Sequence, residues 1–290
     1  MNIKGLNFGI IAFCLWGMSP LYWGLFTNIS AIDVALFRMV GSALFMLFLA
    51  SIHRRLKETF LITPKTYLIL LCTGGLLSLN WTIYVWAMQQ NRVLECSLAY
   101  FINPIISVFL GRIFLQEFLS AAQKIAVGFA TLGVVIIGFD MGTLPWISLS
   151  LAISFGIYGL LKKKLDMDPL KAFTAECTIL LPFTLLPLLL RDWDGILLPY
   201  QPTDWLLVAT AGIATAVPLL YYNKSAQLIP LNVIGMLQFM APTIKFFLGI
   251  LVFGEVLNLQ SALGFSAIWV GVIVFMFPSL KSARFQASRA

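Results

Sequence analysis

The sequence predicts an all-α membrane protein of ten transmembrane helices, arranged as two inverted five-helix repeats. Three observations predict this fold: the composition, ten long apolar segments and a self-similarity between the two halves of the chain. Of the 290 residues, 60% are hydrophobic and only 11% are charged, whereas a soluble chain carries about 25% charged residues. Because no globular packing of this length hides so much apolar surface from water, most side chains must face lipid or one another.

The composition also excludes several classes of protein. A cytosolic enzyme, a secreted disulfide scaffold and a disordered chain all need more polar residues or a cysteine pattern. The four cysteines, Cys14, Cys72, Cys96 and Cys177, stand singly in or beside apolar runs. We therefore expect small apolar fillers there, with no disulfide and no metal site.

Ten segments are long and apolar enough to cross a bilayer as helices, which takes about 20 residues. They lie near residues 7–27, 33–52, 67–88, 94–115, 121–139, 143–161, 169–190, 203–222, 231–252 and 260–279. Alternation with a period of two is absent, so a β-barrel does not fit. The first segment has a longer apolar run than a signal peptide and no small-residue cleavage site, and we expect it to be retained.

The basic residues predict the orientation. With ten passes both termini lie on one side, which receives fourteen basic residues, while the other side receives only Arg92 and Arg191. The fourteen are Lys4, Arg54, Arg55, Lys57, Lys65, Lys124, Lys162, Lys163, Lys164, Lys171, Lys224, Lys281, Arg284 and Arg289. By the positive-inside rule both termini are cytoplasmic. The run Lys162–Lys164 is interpreted as part of this signal, and Trp23, Trp193 and Trp205 as interfacial anchors.

The two halves resemble each other when the chain is shifted by 138 residues. The matched pairs are Gly74 with Gly212, Tyr84 with Tyr222, Pro104 with Pro242, Gly111 with Gly249, Glu117 with Glu255 and Gly133 with Gly271. The shift predicts a first repeat at 1–141, a second at 142–279 and a cytoplasmic tail at 280–290. Because each repeat has five passes, the second copy enters the membrane from the opposite face. Inverted repeats are typical of carriers that alternate between two open states, although some channels also have them.

Three ionisable residues lie well inside the predicted spans: Arg38, Glu176 and Lys245. Such residues are costly in hydrocarbon and indicate a functional site. Inversion places Arg38 and Glu176 at opposite depths, so we expect no direct ion pair between them. Arg38 and Lys245 share the outer half, where they would favour a carboxylate or phosphate group. The alternative is that each pairs locally, for Lys245 with Glu95.

Glu176 is the one carboxylate well inside a span, and its sequence neighbours are apolar. Burial favours the protonated form of a carboxyl group. One hypothesis is that Glu176 takes up and releases a coupling proton. The other is a structural role as a protonated or hydrogen-bonded side chain.

Uncharged polar and aromatic residues cluster on the predicted third, fourth, eighth and ninth spans. They are Asn80, Trp81, Tyr84, Tyr100, Asn103, Tyr221, Tyr222, Asn223 and Gln238. Pro104 and Pro242 are expected to interrupt two spans at matched positions, which is a pointer to a carrier's binding site. We predict that nine residues bind substrate. They are Arg38, Asn80, Trp81, Tyr84, Tyr100, Asn103, Tyr222, Gln238 and Lys245. Hydrogen bonding between helices is the alternative for each amide.

Several stretches resemble RarD-type proteins of the EamA family, in the drug/metabolite transporter superfamily. They are Asn80-Trp81, Tyr100-Phe101-Ile102-Asn103-Pro104, Ser154-Phe155-Gly156-Ile157-Tyr158-Gly159, Val217-Pro218-Leu219-Leu220 and Gln238-Phe239-Met240-Ala241-Pro242. The resemblance implies ten helices in two EamA repeats, a bacterial inner membrane, cytoplasmic termini and export of small metabolites or drugs. Arg38 and Glu176 fall where the family also tends to have Arg and Glu. Lys245 departs from it, and so does Gln116, which replaces a usual Gly before Glu117 and predicts a less sharply bent turn.

Three functions compete. An intramembrane enzyme needs a positioned acid, base or metal at depth, whereas His53, the single histidine, falls in a loop, so we expect no enzymatic activity and no cofactor. A channel or lipid scramblase without ion coupling remains the alternative to a carrier. The main expectation is a secondary active transporter for small, amino-acid-like or amphipathic molecules, coupled to protons. Its expected partners are that small molecule and the bilayer, with no nucleic acid and either a monomer or a homodimer.

Overall fold

The computed structural model of the chain describes residues 2–26, 29–89, 93–138, 146–190, 201–252 and 259–287, and the regular structure in these ranges is α-helical. The helices are α1 Ile3–Trp23, α2 Ala31–Ile52, α3 Leu56–Phe60, α4 Pro64–Gln89, α5 Val93–Phe114, α6 Ala121–Gly138, α7 Trp146–Lys164, α8 Pro169–Leu189, α9 Pro202–Leu228, α10 Leu231–Gln238, α11 Met240–Leu251 and α12 Leu259–Ala287. The all-helical prediction is confirmed.

Seven described helical stretches are long and apolar enough to cross a membrane: Ile3–Trp23, Ile32–Ile52, Pro64–Tyr84, Ala121–Gly138, Pro169–Leu189, Pro202–Leu228 and Leu231–Leu248. Two shorter apolar stretches, Leu98–Phe114 and Ala262–Phe275, lie in α5 and α12. Length and hydropathy thus mark a polytopic membrane protein. The helix α7 is not among the seven, and its last turn carries Lys162, Lys163 and Lys164.

Helices begin where the sequence supplies a capping side chain or a proline. Asn2 accepts a hydrogen bond from the Gly5 amide at 3.2 Å, and Ser30 accepts one from the Asp33 amide at 3.2 Å. Asp168 accepts from the Leu170 amide at 3.1 Å, in front of a proline in the first turn of α8. These contacts satisfy amide groups that have no partner within the helix, which fixes where each helix begins.

The two predicted proline interruptions differ in the structure. The helix α5 continues through Pro104, so the expected break there is wrong. In the second half the chain breaks at Phe239, between α10 and α11. Pro242 has no amide hydrogen for the Gln238 carbonyl. The break therefore begins where Pro242 removes a helical hydrogen bond. Of the two matched prolines, only Pro242 has a helix break beside it.

The largest further differences between the observed helices and the predicted spans occur in three places. The helix α9 runs to Leu228, six residues beyond its predicted end, and α12 runs to Ala287, into the predicted tail. The short helix α3 was not predicted. Its Glu58 pairs with Lys171 of α8, and this contact lowers the pKa of Glu58. Arg55 also pairs with Asp168 at 2.9 Å, so two surface ion pairs hold α3 against the start of α8.

The main helix contacts join the two halves of the chain. The helices α1 and α2 both pack on α9, α5 packs on α7 and α10, and α6 packs on α12. The core therefore lies between the halves, with Phe13, Tyr158 and Tyr222 among its buried side chains.

The helices α2 and α9 approach closely at Gly41 and Gly212. A Cβ atom on Gly212 would lie 2.6 Å from the Gly41 Cα atom. Small residues of this kind let helix backbones approach closely in membranes. The Ser42 hydroxyl lies 2.6 Å from the Arg38 carbonyl oxygen and 3.0 Å from that of Gly212, so Ser42 links this contact to the turn of α2 that carries Arg38.

The turn after α5 is more sharply formed than the missing glycine predicts. Gln116 has a φ of 54°, a left-handed conformation that glycine adopts without cost. The adjacent Glu117 side chain then accepts hydrogen bonds from the amides of Leu231, at 2.7 Å, and Asn232, at 2.9 Å. The carboxylate caps the start of α10, where the helix dipole favours a negative charge. The expectation of a weaker turn is therefore wrong: Gln116 keeps the conformation that aims Glu117 across the repeat interface.

Replacing Gln116 by Gly is expected to raise the free energy of unfolding by about 0.5–1 kcal/mol. The gain in the folded state is about 1–2 kcal/mol, and the larger freedom of glycine in the unfolded chain offsets part of it. Reversible unfolding in mixed detergent micelles measures the change. The control is Lys124→Gly, at an exposed right-handed position of α6, which should be destabilising. If both variants lose stability, Gln116 is not strained in the folded protein.

Candidate functional site

A group of cations and aromatic rings lies near the ends of α1 and α4 and the beginnings of α2 and α5. The Arg38 guanidinium lies over the Trp81 ring, with its Cζ atom 4.5 Å from the ring centroid, and 5.7 Å from that of Trp23. The Arg38 Nε atom is buried and has no hydrogen-bond partner among the described residues. The ring contacts hold the guanidinium in place while one of its donors stays unused.

Lys245 of α11 reaches the same region. Its Nζ atom lies 4.0 Å from the centroid of the Tyr100 ring, and the rings of Tyr100 and Tyr84 meet edge to face at 6.4 Å. Arg38 and Lys245 both lie within electrostatic reach of Tyr84. We call Arg38, Trp23, Trp81, Tyr84, Tyr100 and Lys245 the cation–aromatic cluster. It unites five of the nine residues predicted to bind substrate.

The charge of the cation–aromatic cluster is positive. Within the described ranges, the ion pairs at 4 Å or less join other residues, and none involves Arg38 or Lys245. The side chain of Glu95, the alternative partner for Lys245, lies outside what the structure describes. Trp23, interpreted from the sequence as an interfacial anchor, instead contributes a ring to Arg38.

Glu176 lies elsewhere, in a second and fully buried site. Its carboxylate forms an ion pair with Lys162 of α7, and the two side chains are 0% and 2% exposed. The Lys162 ammonium also lies 5.5 Å from the centroid of the Tyr158 ring. Two sequence interpretations are corrected here. Glu176 has a charged neighbour rather than apolar ones alone, and Lys162 points into the bundle instead of serving only as an orientation signal.

Lys162 and Lys163 are separated by their positions around α7. Lys163 donates hydrogen bonds to the carbonyl oxygens of Ala226, at 3.2 Å, and Ile229, at 2.6 Å, and so caps the end of α9. Lys162 follows Tyr158 by one helical turn, on the face that is turned towards Glu176. A run of three lysines thus supplies a buried ion pair, a helix cap and a third, terminal charge.

A small cavity lies between the two charged sites. It measures about 10 Å³, which is room for about one water molecule. Trp81 borders it on the side of the cation–aromatic cluster, and Glu176 borders it on the other. The remaining lining residues are Met39, Ser42, Leu77, Phe173, Cys177, Leu180 and Thr184. The two sites are therefore neighbours, separated by a space too small for an organic molecule.

The other four residues predicted to bind substrate lie outside the cation–aromatic cluster. Asn80 donates to the Leu151 carbonyl at 2.8 Å and to the Ser154 hydroxyl at 2.9 Å, which links α4 to α7. This contact matches the alternative of hydrogen bonding between helices. Tyr222 is fully buried among aromatic rings, 5.7 Å from Trp16 and 5.2 Å from Phe155 between ring centroids.

Gln238 and Asn103 keep unused polar atoms. The Gln238 Oε1 atom accepts a hydrogen bond from Ser107 at 3.2 Å, while its Nε2 atom and the Asn103 Oδ1 atom are buried without a partner among the described residues. Asn103 directly precedes Pro104, and Gln238 lies four residues before Pro242. Of the side chains in these sites, sequence reasoning missed Lys162 and Trp23. A helical wheel of α7 would have indicated Lys162, because it shares a face with Tyr158.

Buried charges within an all-helical membrane bundle are typical of the substrate and ion pathways of transport proteins. The chain belongs to the EamA-like transporter family, whose model matches residues 3–139 and again residues 144–277. It is 38% identical to "Uncharacterized transporter PA0485" of Pseudomonas aeruginosa, over 97% of this chain and 96% of that one. It is 36% identical to "Uncharacterized transporter YojE" of Bacillus subtilis, with the same coverage of 97% and 96%.

"Protein RarD" of Escherichia coli is 33% identical, over 97% of this chain and 96% of that one. The resemblance to RarD-type proteins is thereby confirmed. A solved crystal structure superimposes with a TM-score of 0.76 and 16% sequence identity, covering 94% of this chain and 97% of the other. This similarity shows the fold alone.

Proposed function

We propose that the protein is a secondary active transporter that exports small amphipathic or amino-acid-like molecules across the bacterial inner membrane. In this proposal two inverted five-helix repeats, at 1–141 and 142–279, alternate between inward-open and outward-open states, and both termini are cytoplasmic. Support comes from the two separate matches to the family model and from the packing of each half mainly on the other. The bacterial relatives named as transporters point the same way.

The observation that carries the coupling proposal is the buried pair of Lys162 and Glu176. A proton taken up by Glu176 would remove the negative charge and leave the Lys162 ammonium unpaired in an apolar site, which is costly. Lys162 stands in the last turn of α7, beside Lys163 and Lys164. A shift of α7 would let its long side chain reach water. Protonation of Glu176 would therefore favour a different helix arrangement, which is what coupling requires.

The proposed substrate site is the cation–aromatic cluster together with the polar atoms of Asn103 and Gln238. The cavity between Trp81 and Glu176 has room for about one water, so substrate cannot pass it in this conformation. A closed passage beside a buried ionisable pair is the arrangement expected of a gate. Opening that passage while the cluster closes would move a substrate across the membrane.

The test is uptake into proteoliposomes driven by an imposed pH gradient, screened over amino acids and amphipathic drugs. The wild-type protein is expected to show saturable uptake and counterflow. Glu176→Gln is expected to abolish the response to the pH gradient but to retain counterflow, which needs no proton. Glu58→Gln, at the exposed pair with Lys171, is the matched control and should behave as the wild type.

Other outcomes would contradict specific parts of the proposal. Flux without saturation or counterflow would indicate a channel, and equilibration of labelled lipid would indicate a scramblase. An unchanged pH response in Glu176→Gln would remove Glu176 from the mechanism. If Glu176→Gln loses counterflow as well, Lys162→Met/Glu176→Gln, which removes both charges, decides between a folding defect and a defect in coupling.

A further inference from the structure

We propose that the substrates are organic anions: an oxyanion, such as a carboxylate or a phosphate ester, binds between Arg38 and Lys245, and a flat apolar body lies against the surrounding rings. This inference rests on the proposed function and specifies its substrate class. The cluster would thus select for both a negative charge and a flat apolar surface.

The charge of the cation–aromatic cluster favours an anion. Arg38 and Lys245 place two positive charges in the apolar part of the bundle, and the part of the chain that the structure describes supplies no carboxylate within 4 Å of them. Lys162 differs from these two cations, because the chain supplies Glu176 as the counter-charge for its buried ammonium. Charges at membrane depth need a counter-charge or water. A mobile anion from outside the chain would supply one.

The hydrogen-bond donors of Arg38 favour an oxyanion in particular. A ring beneath a cation attracts its charge but accepts few of its N–H groups. The Arg38 Nε atom is buried with no partner within the described ranges, and its guanidinium lies on the rings of Trp81 and Trp23. A guanidinium fixed in this way presents a fork of donors that matches the two oxygens of a carboxylate or phosphate. The site therefore lacks an acceptor, which an oxyanion supplies.

Exposure and shape also favour an organic anion. Tyr100 is 37% exposed, so the cluster reaches the surface of the bundle, whereas Glu176 is completely buried. Trp81, Tyr84 and Tyr100 present flat faces or edges around the two cations. Aromatic rings favour flat apolar groups by stacking and edge contacts. A bare inorganic anion would leave these faces uncovered.

Binding to the purified full-length protein tests the proposal by calorimetry and tryptophan fluorescence. The probes are N-acetyl-L-phenylalanine, its neutral amide, acetate and phenyl phosphate. N-acetyl-L-phenylalanine is expected to bind at least tenfold more tightly than its amide and than acetate. Phenyl phosphate distinguishes the two oxyanions. If it binds more tightly than N-acetyl-L-phenylalanine, the site is assigned to phosphate esters, and if it binds more weakly, the site is assigned to carboxylates.

Arg38→Gln and Lys245→Met are each expected to weaken binding of N-acetyl-L-phenylalanine at least tenfold. Arg38→Lys, which keeps the charge, should recover part of the affinity. The matched control is Lys224→Met, because the Lys224 ammonium also lies over rings, 5.5 Å from that of Phe8 and 5.8 Å from that of Tyr221, but outside the cluster. Circular dichroism melting of each variant shows whether it is folded. If Arg38→Gln is unfolded, Arg38→Lys is compared with the wild type instead.

The proposal is overturned if the acid and its amide bind equally, or if Arg38→Gln/Lys245→Met binds the acid as the wild type does. Its failure is distinct from failure of the proposed function. Saturable transport of neutral or cationic molecules without binding of the anions would leave a transporter with another substrate class. Anion binding without any counterflow in proteoliposomes would support the anion site but contradict the proposed transport function.

Discussion

Replacing Lys162 by Met is expected to lower the free energy of unfolding by about 3–5 kcal/mol, the largest effect of any single change proposed here. The substitution keeps the volume of the side chain but leaves the Glu176 carboxylate buried without its counter-charge. Both side chains of the pair are almost completely shielded from solvent, so water cannot compensate. Reversible unfolding in mixed detergent micelles measures the loss.

The double variant Lys162→Met/Glu176→Leu separates charge from packing. With both charges replaced by apolar groups of similar size, most of the lost stability should return, because no unpaired charge remains. Lys171→Met, which breaks the exposed pair with Glu58, should have a far smaller effect, since solvent screens that contact. A loss in the double variant as large as in Lys162→Met would show that the pair matters for packing and not for its charge.

Replacing Gly212 by Ala is expected to lower the free energy of unfolding by about 3 kcal/mol, at the upper end of the range for overpacked sites. The new Cβ atom would meet the backbone of Gly41, 2.6 Å from its Cα atom, and a backbone atom cannot turn aside as a flexible side chain can. The helices α2 and α9 would have to separate. Because Ser42 and Arg38 lie at this contact, binding at the cation–aromatic cluster should weaken as well.

Gly75→Ala is the control for this substitution. Gly75 lies in the interior of α4, and no atom lies within 4 Å of a Cβ built there. Alanine is the better helix former by up to about 1 kcal/mol, so the control should be neutral or stabilising. Equal losses in the two variants would mean that the approach of α2 to α9 is not tight, and would contradict the packing described here.

The helical membrane fold and most of the chain's spans could be predicted from composition and periodicity. A bilayer imposes a minimum length and an apolar composition on each crossing helix, and both properties are local in the sequence. The same reasoning identified Arg38, Glu176 and Lys245, because charge at membrane depth is rare enough to stand out. The aromatic partners Trp81, Tyr84 and Tyr100 belonged to the polar and aromatic residues that cluster on four of the predicted spans.

The partner of each charge could not be predicted, because it depends on how the helices are rotated and packed. Lys162 looks like one of three terminal lysines until its side chain is placed beside Glu176 of α8. Trp23 looks like an anchor until its ring is placed beside Arg38 of α2. Likewise, Pro104 is accommodated inside a continuous helix while the chain breaks before Pro242, although the two residues match in sequence.

The same distinction explains the turn at Gln116. Sequence alone assigned a weaker bend because glycine is absent, yet the hydrogen bonds of Glu117 to α10 stabilise the left-handed conformation from outside the turn. Local properties, such as hydropathy, span length and the rarity of buried charge, can be predicted from the sequence because the bilayer acts on each segment separately. Pairing, helix breaks and strained turns depend on contacts between distant segments, and only the packed bundle specifies them.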